Sequence, residues 1–231
     1  MRGIVAAAGT IFLLAAPPFA KADDTPEWKI CISVTNSGAE RLAACTAVID
    51  SRAETGRRLA GAYCIRGHEL TEKRELDAAL ADLNEAIKAD ATYACAFNNR
   101  GRAYGFKGEH DRAIADYDEA IRIEPRYTAA YNNRGLVWGD KGDYDRAIAD
   151  YDAAIRLQPK ASASYVNRGN AWSEKGDIQR ALADYSEAIR LNPNSATALY
   201  LRGLARQKTG DRTGAAADIA AAKRIDPAIG S

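Results

Sequence analysis

The sequence contains few of the residues and motifs that build catalytic and metal sites. Only two of its 231 residues are histidine and four are cysteine. It contains no glycine-rich phosphate loop, no zinc-type cysteine spacing and no serine-nucleophile motif. The sequence therefore predicts no catalytic residues, no cofactor and no metal ligands, and it favours a protein that is not an enzyme.

An excess of one charge is also missing. The chain has 32 lysines and arginines against 31 aspartates and glutamates. Without Arg2 and Lys21, which lie in the N-terminal leader, 30 basic residues face 31 acidic ones. A nucleic-acid-binding protein needs a clustered positive excess, so no nucleic acid is expected as a partner. The charges instead alternate in sign along the predicted helices, as is typical of solvated faces.

Long apolar runs are confined to the N-terminus. Arg2 precedes an apolar run over 4–16, and Ala20, Lys21 and Ala22 form a small-x-small cleavage site. The run is too short to span a bilayer, so the pattern predicts a secretory signal peptide over 1–22, cleaved after Ala22. We therefore expect no membrane span and a periplasmic or secreted protein.

What the chain does contain is one pattern that occurs five times at intervals of 34 residues. A fixed period of this length predicts a solenoid, in which each unit buries its apolar face against its neighbours. This architecture favours a binding scaffold over an enzyme. The register is clearest in a glycine series, an alanine series and an aspartate series: Gly67, Gly101, Gly135, Gly169 and Gly203; Ala79, Ala113, Ala147, Ala181 and Ala215; Asp82, Asp116, Asp150, Asp184 and Asp218.

Each unit reads as two short helices joined by a turn. In residues 127–160, large and small apolar residues recur at steps of three and four, which places them along one helical face. Gly142 suits the left-handed backbone that ends a helix, and Asp143 can cap the next one. Pro159 then ends the second helix.

This unit resembles the tetratricopeptide repeat. The family's order of aromatic and small residues and proline appears as Phe97, Gly101, Tyr104, Gly108, Ala113, Tyr117, Ala120 and Pro125, and it recurs in the next two units. The resemblance implies an all-α, right-handed superhelical solenoid whose concave groove binds a protein or extended peptide. It divides the chain after the leader into a degenerate half-repeat or cap over 23–58 and repeats over 59–92, 93–126, 127–160, 161–194 and 195–228.

The two outer repeats depart from the pattern. Arg74 stands in place of the turn glycine in the first repeat, and Arg206 and Lys223 replace apolar residues in the last. A terminal repeat needs a more polar outer face, because nothing packs on it. No further helix is expected before Ser231. A self-assembling module, in which this edge contacts a second copy as a homo-oligomer, is therefore the alternative to an adaptor.

The predicted groove carries a series of asparagines on the first helix of each repeat. Carboxamides both donate and accept hydrogen bonds, so Asn99, Asn133 and Asn167 can hold the backbone of an extended peptide, as the resemblance implies. The alternative is that they bond to neighbouring backbone or to the next helix. The lysine-rich clamp that holds chaperone tails is missing. The full set of expected groove residues is Asn98, Asn99, Arg102, Asn132, Asn133, Leu136, Asn167, Asn170 and Tyr200.

An arginine precedes each register glycine. An arginine within a helical interface is costly unless it is paired, and the aspartate of the facing helix can pair with it. We therefore expect five arginine–aspartate pairs inside the repeats, formed by Arg66, Arg100, Arg134, Arg168 and Arg202.

An even number of cysteines in an exported protein favours disulfides. Aligning the half-repeat with a full repeat places Cys31 and Cys45 in facing slots, so a Cys31–Cys45 bond is the first expectation. Cys64 and Cys95 lie on the first helices of adjacent repeats, and their pairing depends on the offset between those helices.

One remote alternative is a thiol or metal site on the first helix of the first repeat. Cys64, His68 and Glu72 are spaced four residues apart and share one face of a helix, which suits a thiol or metal site. A straight line along a helix supplies no oxyanion hole, and His110 lies in a distant turn.

Overall fold

The computed structural model describes residues 25–230, which form twelve α-helices. The predicted signal peptide over 1–22 lies outside the described residues. The helices, in chain order, are α1 Pro26–Ile32, α2 Gly38–Asp50, α3 Gly56–Glu72, α4 Leu76–Ala89, α5 Ala94–Phe106, α6 His110–Ile123, α7 Thr128–Asp140, α8 Tyr144–Leu157, α9 Ser162–Glu174, α10 Ile178–Leu191, α11 Ala196–Lys208 and α12 Arg212–Ile225.

The turn between the paired helices follows from its residues. Gly142, between α7 and α8, has a φ of 77°, a left-handed conformation that glycine adopts without steric cost. The Asp143 side chain then accepts a hydrogen bond from the backbone N–H of Arg146 and caps α8. Arg74 adopts the same left-handed backbone in the α3–α4 turn, with a φ of 65°. The turn geometry is therefore kept where the glycine is absent.

The register glycines set how closely the two helices of a repeat approach. A Cβ atom added at Gly135 would lie 2.7 Å from the Tyr151 ring, and one at Gly169 would lie equally close to the Tyr185 ring. The glycine of the first helix therefore receives the large side chain of the second helix. Any side chain at these positions would push the pair apart.

The repeats stack so that their first helices share one surface. Each second helix packs against the first helix of the next repeat, while α3 contacts α5, α5 contacts α7 and α7 contacts α9. The fold is the predicted all-α, right-handed superhelical solenoid. We use "the groove" for the surface that α3, α5, α7, α9 and α11 form on the inner side.

The helices α1 and α2 form a hairpin that a disulfide closes. Cys31 and Cys45 are bonded, as the slot alignment predicts, and both are fully buried beside Val48 and Ala62. The hairpin contains few large apolar residues, so the bond supplies a constraint that packing provides elsewhere.

Within residues 25–230, no helix combines the length and the apolar character that crossing a membrane requires.

The predicted arginine–aspartate pairs are present in all five repeats. In each one, the arginine Nε and one terminal nitrogen donate to the two carboxylate oxygens, over 2.6–2.9 Å. Such two-point contacts fix the orientation of both side chains. The pairs are Arg66–Asp82, Arg100–Asp116, Arg134–Asp150, Arg168–Asp184 and Arg202–Asp218.

The remaining guanidinium nitrogen of these arginines reaches the preceding repeat. Arg100 donates to Asn84 over 2.7 Å, and Arg168 donates to Asp152 over 2.5 Å. Arg134 likewise bonds to Asp118. Each of these arginines therefore joins three helices, two in its own repeat and one in the repeat before it.

The pKa shifts show what burying such a pair costs. Hydrogen bonds to Asp116 raise the pKa of Arg100, as an ion pair does. Burial nevertheless raises the pKa of Asp116, because the loss of solvation outweighs the effect of Arg100. The same opposition holds for Arg134 and Asp150. The pairs are therefore better suited to fixing helix register than to adding net stability.

The structure corrects one expectation about the last repeat. Arg206 occupies an aromatic slot, but it does not serve as a solvated edge residue. Its side chain turns inward and bonds to Asp218 over 2.8 Å, to the Gly214 carbonyl and to Asp211. Asp218 therefore pairs with two arginines, Arg202 and Arg206. The Arg206 guanidinium takes the place of the aromatic ring that other repeats have in this slot. Lys223 is exposed, as expected of an outer face.

Breaking one buried pair tests this account of the arginines. Arg134→Ala leaves Asp150 buried without its partner, and we expect it to destabilise the fold by about 3–5 kcal/mol. Replacing both Arg134 and Asp150 with leucine removes both charges and should cost less. Urea unfolding followed by circular dichroism measures both effects.

Lys141 provides the matched control, because it lies in the same repeat as Arg134 and forms an exposed ion pair with Asp111 of the preceding repeat. Lys141→Ala should change stability by less than about 1 kcal/mol. A loss in the double leucine variant that equals or exceeds the loss in Arg134→Ala would contradict the account.

Candidate functional site

The asparagines of the N-terminal half of the groove bond to one another and to their neighbours. Asn98 and Asn99 are buried, and Asn98 donates to the Asn99 oxygen over 3.3 Å. Asn133, one repeat further on, donates to the Asn98 oxygen over 3.0 Å. Asn132 donates to the Thr128 carbonyl. These contacts match the structural alternative that the sequence left open, so a peptide would have to displace them to bind here.

Arg102 closes the same half of the groove. Its guanidinium forms an ion pair with Glu72 over 2.5 Å and approaches the His68 Nδ1 atom at 3.5 Å. It also lies over the Phe106 ring, whose other close cation is Arg74 at 3.7 Å from the ring centre. Arg102 was expected to face a ligand, but its contacts are with the chain itself.

These contacts also bear on the remote thiol or metal alternative. His68 and Glu72 both lie next to Arg102, while Cys64 bonds to other partners. Burial and the charge of Arg102 lower the pKa of His68. Within residues 25–230, no group of three potential metal ligands is brought together. The shared helix face of these three residues therefore does not become a joint site.

Cys64 and Cys95 form a close dithiol. Both are free thiols, and their sulfur atoms lie 3.1 Å apart, so the second bond that the sequence suggested is not formed in the structure. The Cys64 thiol donates to Cys95, and Asn99 donates to Cys64 over 3.2 Å. Hydrogen bonds from Cys64 and Tyr127 lower the pKa of Cys95 to about 7, although burial opposes them. The hydrogen bond to Cys95 and burial raise the pKa of Cys64.

The C-terminal half of the groove is open. Between α7 and α9 lies a cavity of about 210 Å³, which we call the acidic cavity. Three expected groove residues meet there, because Leu136 and Asn170 are exposed on its rim and Asn167 is half-buried in its wall. Asp140 and Glu174 also line it.

A second cavity, of about 380 Å³, continues the groove between α9 and α11. It shares Asn170 and Glu174 with the acidic cavity, and Leu201 and Leu204 give it an apolar wall. Tyr200 is half-buried on α11 and lies against the chain at Gly230. The two cavities form one continuous surface over three successive first helices.

A third cavity lies away from the groove. It measures about 500 Å³, sits between α2 and α3, and is lined by Ile49, Asp50 and Tyr63 among others. Its buried carboxylate, Glu54, accepts two hydrogen bonds from Arg58 over 2.7 and 3.1 Å. The buried carboxylate of this cavity is therefore already paired within the chain.

Sequence reasoning missed one polar residue of the open half. Asp140 and Glu174, which the sequence places around the groove asparagines, line the cavity, but so does Tyr151, for which the repeat pattern predicts only a packing role. Comparing repeats at one register could have found it, because Leu136 stands where the next repeat has Asn170. The binding role of the expected groove residues stays a prediction.

The dithiol gives a pH-dependent prediction. With the pair reduced, Cys95 should react with iodoacetamide before Cys64, at a rate that reaches half its maximum near pH 7, because its pKa lies near that value. Cys64→Ala removes the main hydrogen-bond donor and should move this midpoint toward about 8.5, the ordinary cysteine pKa. Peptide mass spectrometry resolves the two sites. Faster labelling of Cys64 would contradict the assignment.

Comparisons with known proteins agree with this architecture. Family models described as tetratricopeptide repeat match residues 60–93, 98–162 and 139–182, and one described as TPR repeat matches 169–210. No curated protein sequence gives a significant match.

Solved structures resemble the chain in fold. A crystal structure of MamA is 22% identical, covers 70% of this chain and 94% of its own, and has a TM-score of 0.62. MamA from Desulfovibrio magneticus RS-1 is 18% identical over 74% and 97% of the two chains, with a TM-score of 0.64. YrrB is 22% identical over 81% and 95%, with a TM-score of 0.59. These structures share the fold of the chain, and because the matching family models together span most of residues 60–210, the chain belongs to the tetratricopeptide repeat family.

Proposed function

We propose that the chain is an exported scaffold or adaptor that binds an extended segment of a partner protein in the open half of the groove. The observation that carries the proposal is the continuous surface formed by the two cavities on α7, α9 and α11. It combines apolar walls with the Asn167 amide, which has no partner among the described residues. An extended peptide needs both kinds of contact.

Leu136 supports the proposal further. Its side chain is 47% exposed on the inner surface, whereas most large apolar side chains of the repeats are buried or half-buried. A peptide that covers it removes apolar area from water, which stabilises the complex. YrrB, one of the similar structures, is described as a TPR protein with an unusual peptide-binding site. For this chain, peptide binding in the groove is our inference.

Export is the second part of the proposal. The apolar run over 4–16 and the cleavage pattern at Ala20 and Ala22 support it. The Cys31–Cys45 disulfide supports it independently, because such bonds persist in oxidising compartments.

Cell fractionation tests the location. We expect the protein in the periplasmic or secreted fraction, with Asp23 as its first residue by N-terminal sequencing. An Ala20→Leu, Ala22→Leu variant should keep its leader, because the cleavage site requires small residues. A cytoplasmic protein that retains residues 1–22 would contradict export.

Affinity capture from an envelope extract tests the binding role. The native protein should retain a partner that a Leu136→Asn, Asn167→Ala variant loses, because the variant removes both kinds of groove contact. Gln179→Ala is the control, since Gln179 is exposed on α10, outside the groove. Hydrogen exchange should then show protection of α7, α9 and α11 in the complex. Capture that is unchanged in the groove variant would place binding elsewhere.

Self-assembly is the alternative function. One observation favours it: Ile225, at the end of α12, is 45% exposed. Light scattering over a range of concentrations separates the two, because self-assembly predicts a dimer that dissociates on dilution. Ile225→Ser should weaken that dimer and leave peptide capture unchanged. A monomer at all concentrations would exclude this alternative.

A further inference from the structure

The acidic cavity combines two carboxylates with an apolar wall. Asp140 and Glu174 are both exposed on it, and among the described residues neither has an ion-pair partner. Leu136 provides the apolar side. The volume of about 210 Å³ equals that of about seven water molecules, which leaves room for one long side chain.

The first repeat shows what a carboxylate in this position binds. Glu72 stands two repeats before Asp140 in the same register, and it forms its ion pair with Arg102 over 2.5 Å. The residue two repeats after Arg102 is Asn170. Asn170 is shorter than arginine and neutral. The guanidinium that lies beside Glu72 therefore has no counterpart beside Asp140 among the described residues.

An unpaired hydroxyl points to the same place. Tyr151 is only 3% exposed, lines the acidic cavity and has no hydrogen-bond partner among the described residues. Its equivalent in the next repeat, Tyr185, donates to the Asn170 oxygen over 2.7 Å. In the repeat that contains Tyr151, the residue that corresponds to Asn170 is Leu136, whose side chain cannot accept a hydrogen bond. Burial and the charge of Asp140 raise the pKa of Tyr151, so the hydroxyl stays neutral beside the carboxylate.

We propose that the acidic cavity binds a lysine or arginine side chain of the segment that occupies the groove. Asp140 and Glu174 pair with the cation, the Tyr151 oxygen accepts one of its hydrogen bonds, and Leu136 packs against its methylene groups. The proposal rests on the proposed function and adds the chemistry of the partner: an extended peptide with one basic residue at a fixed position.

Selection from a random displayed-peptide library tests this without knowledge of the partner. The native protein should enrich peptides with lysine or arginine at one position. An Asp140→Asn, Glu174→Gln variant should still enrich peptides but lose that preference, because both changes keep the shape and remove the charge. The control variant Glu85→Gln, Glu187→Gln removes the same amount of charge from exposed ion pairs on second helices. This variant should keep the preference for basic peptides.

Two measurements on one selected peptide sharpen the test. Replacing its basic residue with norleucine should raise the Kd for the native protein about tenfold or more and leave the Kd for the Asp140→Asn, Glu174→Gln variant nearly unchanged. Asn170→Arg should recreate the Arg102–Glu72 arrangement inside the cavity and abolish the preference, while its melting temperature shows that the fold is kept.

The outcomes separate the two proposals. Enriched peptides without a basic preference, or with an acidic one, would overturn the cation site and leave the groove proposal standing. A basic preference that survives in the Asp140→Asn, Glu174→Gln variant would also overturn the site. If the native protein enriches no peptide at all, the groove proposal itself fails, and the cation site fails with it.

Discussion

The arrangement of the repeats depends on one buried contact, the two-point pairing of an arginine on the first helix with an aspartate on the second. Because the guanidinium of Arg100, Arg134 and Arg168 also reaches the preceding repeat, the same contact fixes the geometry within a unit and between units. In a solenoid each repeat touches only its neighbours, so the geometry of every interface adds to the shape of the groove. Burial raises the pKa of Asp116 and Asp150, which shows that this control has an energetic cost.

The sequence predicts what the repeats share and misses what they do not. The equivalents of Gly135, Arg134 and Asp150 have the same roles in every unit, because the glycine receives a large side chain of the second helix and the arginine pairs with the aspartate. One unit therefore predicts the others. Asn99 and Asn167 occupy one register but have different surroundings. Asn99 bonds to Cys64 and Asn98, whereas Asn167 faces an open cavity. Their roles depend on side chains one repeat away, and a pattern that treats the units as equal cannot distinguish them.

The groove therefore has two halves with different properties. In the N-terminal half, the amides of Asn98, Asn99 and Asn133 bond within the chain and Arg102 pairs with Glu72, so a ligand would have to replace these bonds at a cost. In the C-terminal half, the walls are formed and Asn167 has no partner within residues 25–230. The binding that we propose there orders few protein side chains, so it loses little free energy to ordering.

Specificity in such a protein must come from departures from the repeat, because identical units present identical surfaces. Arg102 and Asn170 show how one departure acts. Arg102 pairs with the Glu72 carboxylate and closes that part of the groove. Asn170 has no charge, so Asp140 has no ion-pair partner among the described residues and can pair with the ligand cation that we propose. Leu136 adds a second departure, since it leaves the Tyr151 hydroxyl without the acceptor that Tyr185 has. The arginine–aspartate contact keeps the backbone of all repeats alike, so these few substitutions can change the chemistry of the groove without changing its shape.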